Sequence, residues 1–226
     1  DYLRRIRDEK KINKAVIIGG GLIGIEAAEA LRLAGIEITI IEMLPQILNF
    51  LDWEIAKIVE NHVKSKGANV ILSNGVAEFL GENGKLKGVK LQNGTELLCE
   101  LAVVAVGVNP NVALAKDAGL TLGQTGGILV DEYMQTSDPD IYAIGDCAPG
   151  QALAHVASKE AIITVENIGY NEKKYSHQPE ALDYNNVPGC TYCYPEIASV
   201  GYTEKQAKEA GYDVKVGKFP LSASGK

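Results

Sequence analysis

The chain has 226 residues, of which 46% are hydrophobic and 23% charged, and it carries a formal charge of −7 at pH 7. This acidic balance, without a basic cluster, gives no electrostatic reason to expect nucleic acid or an anionic membrane as a partner. No apolar run approaches the roughly 18 residues of a membrane-spanning helix, and the opening residues lack the pattern of a secretory signal.

Strands and helices alternate in the first half of the chain. Residues 1–12 are charged with spaced apolar side chains, which favours a short helix or a connector. A uniformly apolar run predicts a buried strand at 15–18. Further buried strands are predicted at 36–41 and 99–107, and another strand at 69–72. Helical patterns, each followed by a glycine, predict helices at 23–33 and 51–66, and 79–91 is predicted to form an antiparallel excursion. This alternation predicts an α/β fold whose parallel sheet is covered by helices.

The pattern changes after Gly126 and Gly127. Helical sequence resumes at 156–168, and the polar, proline-punctuated stretch 170–188 predicts a domain boundary. Beyond it, 194–211 predicts a strand, a turn and a short helix that open another domain.

Three glycines in the segment 15–42 follow the spacing G-x-G-x-x-G, at Gly19, Gly21 and Gly24. The first permits a tight strand-to-helix turn, the second lets a pyrophosphate approach the backbone, and the third brings the helix close to the sheet. The start of the helix offers N–H groups to the phosphates. Because a strand precedes the glycines, and a helix and a second strand ending on an acid follow, the segment predicts a dinucleotide site.

Two carboxylates bear on the identity of the nucleotide. Glu42 closes the second strand, where an acid accepts hydrogen bonds from ribose hydroxyls and repels a 2′-phosphate. Its neighbours Met43 and Leu44 are not cations, so the segment predicts NAD rather than NADP. Glu26 has two interpretations: a carboxylate of the first helical turn, favoured by the helix dipole, or a group beside the nicotinamide ring.

Several stretches resemble the flavin-dependent pyridine nucleotide–disulfide oxidoreductases. They are GGGLIGIE at 19–26, VAVGVNPN at 104–111 and TSDPDIYAIGDCA at 136–148, in that order. Within that family, LAHVASKEA at 153–161 and CYPEIASVGYTEKQAKEAG at 193–211 resemble the dihydrolipoamide dehydrogenases. The stretch 112–140 also resembles NADH oxidases and coenzyme A disulfide reductases. The resemblance covers essentially the whole chain.

The resemblance implies a Rossmann-type NAD-binding domain inserted in an incomplete FAD-binding domain, followed by the start of an α+β interface or dimerisation domain. The implied ranges are 1–12 for a connector from the FAD domain, 13–125 for the NAD domain, 126–178 for the returning part of the FAD domain and 179–226 for the interface domain.

The resemblance also implies site residues. Toward NAD these are Gly19, Gly20, Gly21, Leu22, Ile23, Gly24, Glu26, Glu42, Val76 and Gly107. Toward FAD they are Asp146, which matches the acid that hydrogen-bonds the ribityl chain, and Ala152, Leu153, Ala154 and His155, whose backbone dipoles approach the flavin ring. A carboxylate suits sugar hydroxyls, and a helix start can stabilise charge on a reduced flavin. Leu22 is aliphatic where several relatives have an aromatic residue that covers the flavin.

The function that the resemblance implies is FAD-dependent electron transfer between a dithiol, dihydrolipoamide, and NAD. It implies a homodimer that serves a 2-oxo acid dehydrogenase or glycine cleavage complex. The family's C-x-x-x-x-C disulfide, its first glycine fingerprint for the pyrophosphate of FAD, and its C-terminal His–Glu pair are absent from this sequence. We therefore expect the central part of a longer protein, inactive alone, with no catalytic residue of its own and no metal.

The sequence is also compatible with other functions. An NADH oxidase or coenzyme A disulfide reductase differs in the redox cysteines upstream of this chain. A non-catalytic nucleotide-binding module and a subunit whose missing half lies on a partner chain are further alternatives.

The four cysteines form no dense framework, which favours a reducing, cytoplasmic setting. Cys190 and Cys193 lie in a segment predicted to be extended, where residues three apart face opposite sides, so we expect no bridge between them. No second C-x-x-C completes a zinc site. Cys99 and Cys147 are expected in the core.

Overall fold

A computed structural model describes residues 2–9, 12–220 and 223. Residues 1, 10, 11, 221, 222 and 224–226, which belong to the expected connector and the expected interface domain, lie outside the described residues. The chain forms two compact units, Asp1–Gly107 with Pro188–Lys226 as the first and Val108–Val187 as the second. In the part of the chain that the structure describes, no helix is long and apolar enough to span a bilayer.

Helices and strands alternate as expected in the first half of the chain. The helices are α1 (Tyr2–Glu9), α2 (Leu22–Leu33), α3 (Trp53–Ser65), α4 (Ala113–Asp117), α5 (Ala154–Asn171) and α6 (Glu204–Glu209). The strands are β1 (Lys14–Ile18), β2 (Glu37–Ile41), β3 (Asn69–Ile71), β4 (Val76–Glu82), β5 (Lys85–Leu91), β6 (Glu96–Leu98), β7 (Leu101–Val104), β8 (Gly189–Thr191) and β9 (Ile197–Ser199).

Four parallel strands of the first unit form one sheet in the order β3-β2-β1-β7. The strands β1, β2 and β7 run in register, so that Ile18 lies beside both Ile41 and Val104. Side chains of β1, β2 and α2 share the main core cluster, in which Ile17 and Ile38 are completely buried. Burial of each such side chain contributes about 1.5–3 kcal/mol. The predicted α/β fold with a parallel sheet is confirmed.

The predicted antiparallel excursion is also confirmed. The strands β4, β5 and β6 form a separate three-stranded antiparallel sheet. Asn83 (φ 51°) and Gly84 (φ 73°) connect β4 to β5, and two consecutive left-handed residues are the geometry of a two-residue hairpin turn. A second core cluster joins Val89 of β5 to Val16 of β1 and buries Cys99, as expected.

The buried strand predicted at 99–107 is shorter in the structure than the sequence suggested. β7 ends at Val104, and Val106 is 70% exposed. Because β7 stands at one end of the strand order, its outer edge has no partner among the described strands of this sheet. The backbone N–H of Ala105 still donates to the carbonyl oxygen of Ile18 at 2.8 Å. The chain then leaves the sheet, with Gly107 at φ 118°.

The second unit contains α4, α5 and two 3-10 turns, Gly145–Cys147 and Tyr184–Asn186. The helix predicted at 156–168 is confirmed within α5. A small apolar cluster buries Val112, Ala115, Ile128 and Ala143. Cys147 packs against this cluster but is only partly buried, so its expected place in the core is correct only in part.

The strands β8 and β9 form a hairpin, and α6 follows β9, which confirms the predicted strand, turn and short helix. Cys190 lies on β8 and is exposed, whereas Cys193 lies in the bend between the two strands and is buried. The extended prediction is therefore right for Cys190 and wrong for Cys193, because the chain bends at 193–195. Both thiols are free.

We expect the two thiols to differ sharply in alkylation by iodoacetamide. Burial, followed by the charges of Glu29 and Glu26, raises the pKa of the Cys193 thiol. Less thiolate and less access both slow its reaction. In the native protein at neutral pH, peptide mass mapping should find Cys190 labelled at least about tenfold faster than Cys193. Both should react at similar rates in urea; equal rates in the native protein would contradict the buried position of Cys193.

Candidate functional site

The glycine loop joins β1 to α2 with almost no spare space around two of its glycines. A Cβ at Gly19, whose φ is 105°, would lie 2.3 Å from the carbonyl oxygen of Ala105. A Cβ at Gly24 would lie 1.9 Å from the carbonyl oxygen of Gly19. Both distances are far below van der Waals contact. The turn and the close approach of helix to strand that the fingerprint predicts are therefore present.

Gly21 differs from these two glycines, because nothing lies within 4 Å of the Cβ position. It is the N-cap of α2, with φ −78°, and no side chain caps the helix. The first bond into the helix runs from the N–H of Ile25 to the carbonyl oxygen of Gly21, at 3.0 Å, so the N–H groups of the first turn have no intrahelical acceptor. Open space before such N–H groups fits the pyrophosphate of a dinucleotide.

The carboxylate of Glu42 ties the end of β2 to the glycine loop. One oxygen accepts from the backbone N–H of Gly20 at 2.7 Å, and the other accepts from the N–H of Leu44 at 2.9 Å. Each carboxylate oxygen has a second lone pair, so the group can also accept from ribose hydroxyls. Met43 and Leu44 are exposed and neutral, which leaves no cation beside Glu42 in this segment for a 2′-phosphate.

The other residues expected around NAD lie near the same edge of the sheet. Leu22 is half-buried and Ile23 is exposed, both at the start of α2. Gly107 follows β7, whose last residue pairs with the last residue of β1. Val76 begins β4, two residues after Asn74, whose N–H donates to the carbonyl oxygen of Glu42 at 3.2 Å. The carboxyl ends of the parallel strands thus gather these positions, as open α/β sheets do at their ligand sites.

Glu26 lies in the second turn of α2, so the expectation of a first-turn carboxylate is wrong. The helix begins directly after Gly21, which places Glu26 at its fifth position. The carboxylate accepts from the backbone N–H of Tyr192 at 3.0 Å, and Glu29, one turn further on, accepts from the N–H of Tyr194 at 3.0 Å. The two acids together hold the bend that contains Cys193.

The residues expected around FAD belong to the second unit. Asp146 is exposed on the 3-10 turn Gly145–Cys147. Ala152 is exposed and Leu153 is half-buried. Leu153 is the N-cap of α5, and Ala154 and His155 form the exposed start of this helix. An exposed carboxylate and an uncapped helix start have the chemistry that sugar hydroxyls and a flavin ring require.

Two residues of this unit were not predicted from the sequence. The carboxylate of Glu160 on α5 accepts from the N–H of Gly145 at 2.7 Å and from the hydroxyl of Tyr184 at 2.6 Å. Glu160 is only 1% exposed. A signal for it exists, since Glu160 shares the inner face of α5 with Val156 and Ile163, and an acid at such spacing is unusual.

Family models match most of the chain. Residues 2–161 match the model of the pyridine nucleotide-disulphide oxidoreductases, and residues 187–226 match the dimerisation domain of the same proteins. The chain belongs to the pyridine nucleotide-disulphide oxidoreductase family. FAD and NAD(H) are the cofactors of this family, and the glycine loop, Glu42, Asp146 and the start of α5 fit those two groups.

Individual relatives support the same family. A dihydrolipoyl dehydrogenase from Thermus scotoductus is 37% identical, over 100% of this chain and 49% of its own length. The NAD-dependent persulfide reductase from A. fulgidus has a TM-score of 0.79 and 37% identity, with 93% of this chain and 40% of that chain covered. Reduced Bacillus anthracis CoADR-RHD has a TM-score of 0.81 and 34% identity, with 93% of this chain and 38% of that chain covered. The chain spans about half the length of the curated relatives it matches.

Proposed function

We propose that this chain carries the NAD site and part of the FAD site of an oxidoreductase that passes electrons from dihydrolipoamide to NAD. The observation that carries the proposal is the assembly of an open glycine loop, an uncapped helix start and Glu42 at one edge of a parallel sheet. Membership of the family and the similarity to dihydrolipoyl dehydrogenases support the reaction.

Each part of the site has a distinct task in this proposal. The open space at Gly21 and the first N–H groups of α2 receive the pyrophosphate of NAD, and Glu42 binds the adenosine ribose. Leu22, Ile23, Val76 and Gly107 line the site, and Glu26 stands beside the nicotinamide in addition to holding Tyr192. Asp146 binds the ribityl chain of FAD, and residues 152–155 direct helix-start N–H groups toward the ring. When bound, the two cofactors supply hydride transfer between flavin and nicotinamide.

The proposal extends to the assembly and the setting of the whole protein. The match to a dimerisation domain supports a homodimer, and similarity to dihydrolipoyl dehydrogenases supports lipoamide as substrate and service in a 2-oxo acid dehydrogenase or glycine cleavage complex. The domain ranges 1–12, 13–125, 126–178 and 179–226 and a cytoplasmic location belong to the same proposal.

A second candidate is the reduction of a different sulfur substrate. Its support is the likeness of this chain to the A. fulgidus persulfide reductase and to CoADR-RHD. The two candidates share the NAD and FAD sites of this chain and differ in the sulfur substrate.

The test starts with the visible absorption spectrum of the native full-length protein, recorded before anything is added. A flavin spectrum is expected, and faster NADH formation with dihydrolipoamide than NADH consumption with coenzyme A disulfide or a persulfide would support the first candidate. The reverse order of rates would replace it with the second. A protein without flavin and without NADH binding would overturn both.

A further inference from the structure

A buried carboxylate in the second unit bonds to two separate segments. Glu160 projects from α5, and its two oxygens accept from the backbone N–H of Gly145 and from the hydroxyl of Tyr184. A carboxylate that is 1% exposed is costly unless hydrogen bonds satisfy it. Here both oxygens are engaged by short bonds, and charge-assisted bonds of this kind are about twice as strong as neutral ones.

Tyr184 extends this connection to a third segment. Its carbonyl oxygen accepts from the side-chain amide of Gln151 at 2.9 Å, and Gln151 directly precedes residues 152–155. Burial, followed by the hydrogen bond and charge of Glu160, raises the pKa of the Tyr184 phenol, which therefore stays protonated and donates. Tyr184 thus connects two parts of the expected flavin site. Through Glu160 it is joined to the turn that carries Asp146, and through Gln151 it is joined to the residues that lead into 152–155.

We propose that Glu160 and Tyr184 are positioning residues, which hold the Asp146 turn and the start of α5 in the arrangement that receives the flavin half of FAD. The inference rests on the proposed function, since it takes Asp146 and residues 152–155 as flavin contacts. Sites of this kind depend on supporting hydrogen bonds that fix the groups in contact with the ligand. The Gly145 bond is central, because Gly145 adjoins Asp146 and, at φ 70°, has the wide conformational freedom of glycine, which the bond restricts.

The test compares single-atom changes in the full-length native protein. Tyr184→Phe removes one hydroxyl and leaves the ring in place. Glu160→Gln keeps the shape, because its amide oxygen can accept from Gly145 while its NH₂ group donates to Tyr184. Tyr175→Phe, a hydroxyl removal at a half-exposed tyrosine of the same unit, is the matched control. For each apoprotein, dissociation constants are measured for FAD and, by competition against FAD, for ADP, together with the melting temperature.

We expect Tyr184→Phe to raise the dissociation constant of FAD about tenfold and to leave that of ADP unchanged, since ADP lacks the flavin and ribityl parts. Glu160→Gln keeps both contacts but loses the charge that strengthens them, so it should weaken FAD binding by less than Tyr184→Phe does, and Tyr175→Phe should match the wild type. An unchanged FAD constant in Tyr184→Phe would overturn the inference, and so would equal weakening of FAD and ADP, which marks a general loss of structure. A wild-type apoprotein that fails to take up FAD would instead overturn the proposed function.

Discussion

Gly24→Ala should unfold at a markedly lower urea concentration than the wild type. The added Cβ would lie 1.9 Å from the carbonyl oxygen and 3.0 Å from the carbonyl carbon of Gly19. These are backbone atoms, and Gly19 is itself fixed by a 2.8 Å bond from its N–H to the carbonyl oxygen of Ile41. The helix must therefore move away from the strand, which should lower the free energy of unfolding by about 3 kcal/mol. Urea denaturation, monitored by circular dichroism, measures this free energy.

Gly21→Ala is the matched control for this prediction. Its Cβ would meet nothing within 4 Å and its φ of −78° is normal for alanine, so its stability should stay within about 1 kcal/mol of the wild type. The same Cβ would occupy the open space assigned to the pyrophosphate, so NADH binding should weaken about tenfold or more. A stable Gly24→Ala protein would contradict the close approach of α2, and full NADH affinity in Gly21→Ala would contradict the assigned phosphate position.

Glu42→Gln should change the choice between NADH and NADPH. The variant loses the negative charge that repels a 2′-phosphate, and its amide provides one acceptor where the carboxylate engages Gly20 and Leu44 with two. Hydrogen bonds to charged groups contribute about 1.5–3 kcal/mol. We therefore expect weaker NADH binding and tighter NADPH binding. The dissociation constant of NADPH divided by that of NADH should fall about a hundredfold, which is equivalent to about 2.7 kcal/mol. Calorimetric titration of the protein with each nucleotide, after full anaerobic reduction so that no hydride is transferred, measures the ratio.

Glu37→Gln is the control, because Glu37 lies at the opposite end of β2 and is exposed beside Lys14. Its nucleotide ratio should equal that of the wild type. Partial unfolding cannot mimic the expected result, since NADH and NADPH bind the same folded state and lose affinity together. An unchanged ratio in Glu42→Gln would remove Glu42 from the ribose site.

The glycine loop could be predicted from the sequence because its residue types encode local sterics. Only glycine tolerates the positions of Gly19 and Gly24, and the residues 15–18 that precede the loop are uniformly apolar. The second carboxylate bond of Glu42 could not be predicted in this way. It depends on the backbone of Leu44 in the irregular segment after β2, for which no periodic pattern exists.

The features that were predicted wrongly or missed depend on tertiary structure, which local sequence does not encode. The strand predicted at 99–107 reads as buried because its residues are apolar, but apolar sequence does not reveal that β7 lies at the end of the strand order. Glu160 could have been flagged by its spacing on α5, whereas its partner Tyr184 lies 24 residues away and is brought to it only by tertiary folding. The bend at Cys193 depends likewise on Glu26 and Glu29 of a helix distant in sequence.

We propose that the carboxyl edge of the parallel sheet binds NAD rather than NADP. Calorimetric titration of the wild-type protein with NADH and NADPH at one pH and ionic strength tests this proposal, after full anaerobic reduction so that neither nucleotide transfers a hydride. We expect saturable binding of NADH at one site per chain, with NADPH binding at least about tenfold weaker because Glu42 repels its 2′-phosphate. Equal affinities, or no binding of NADH, would contradict it.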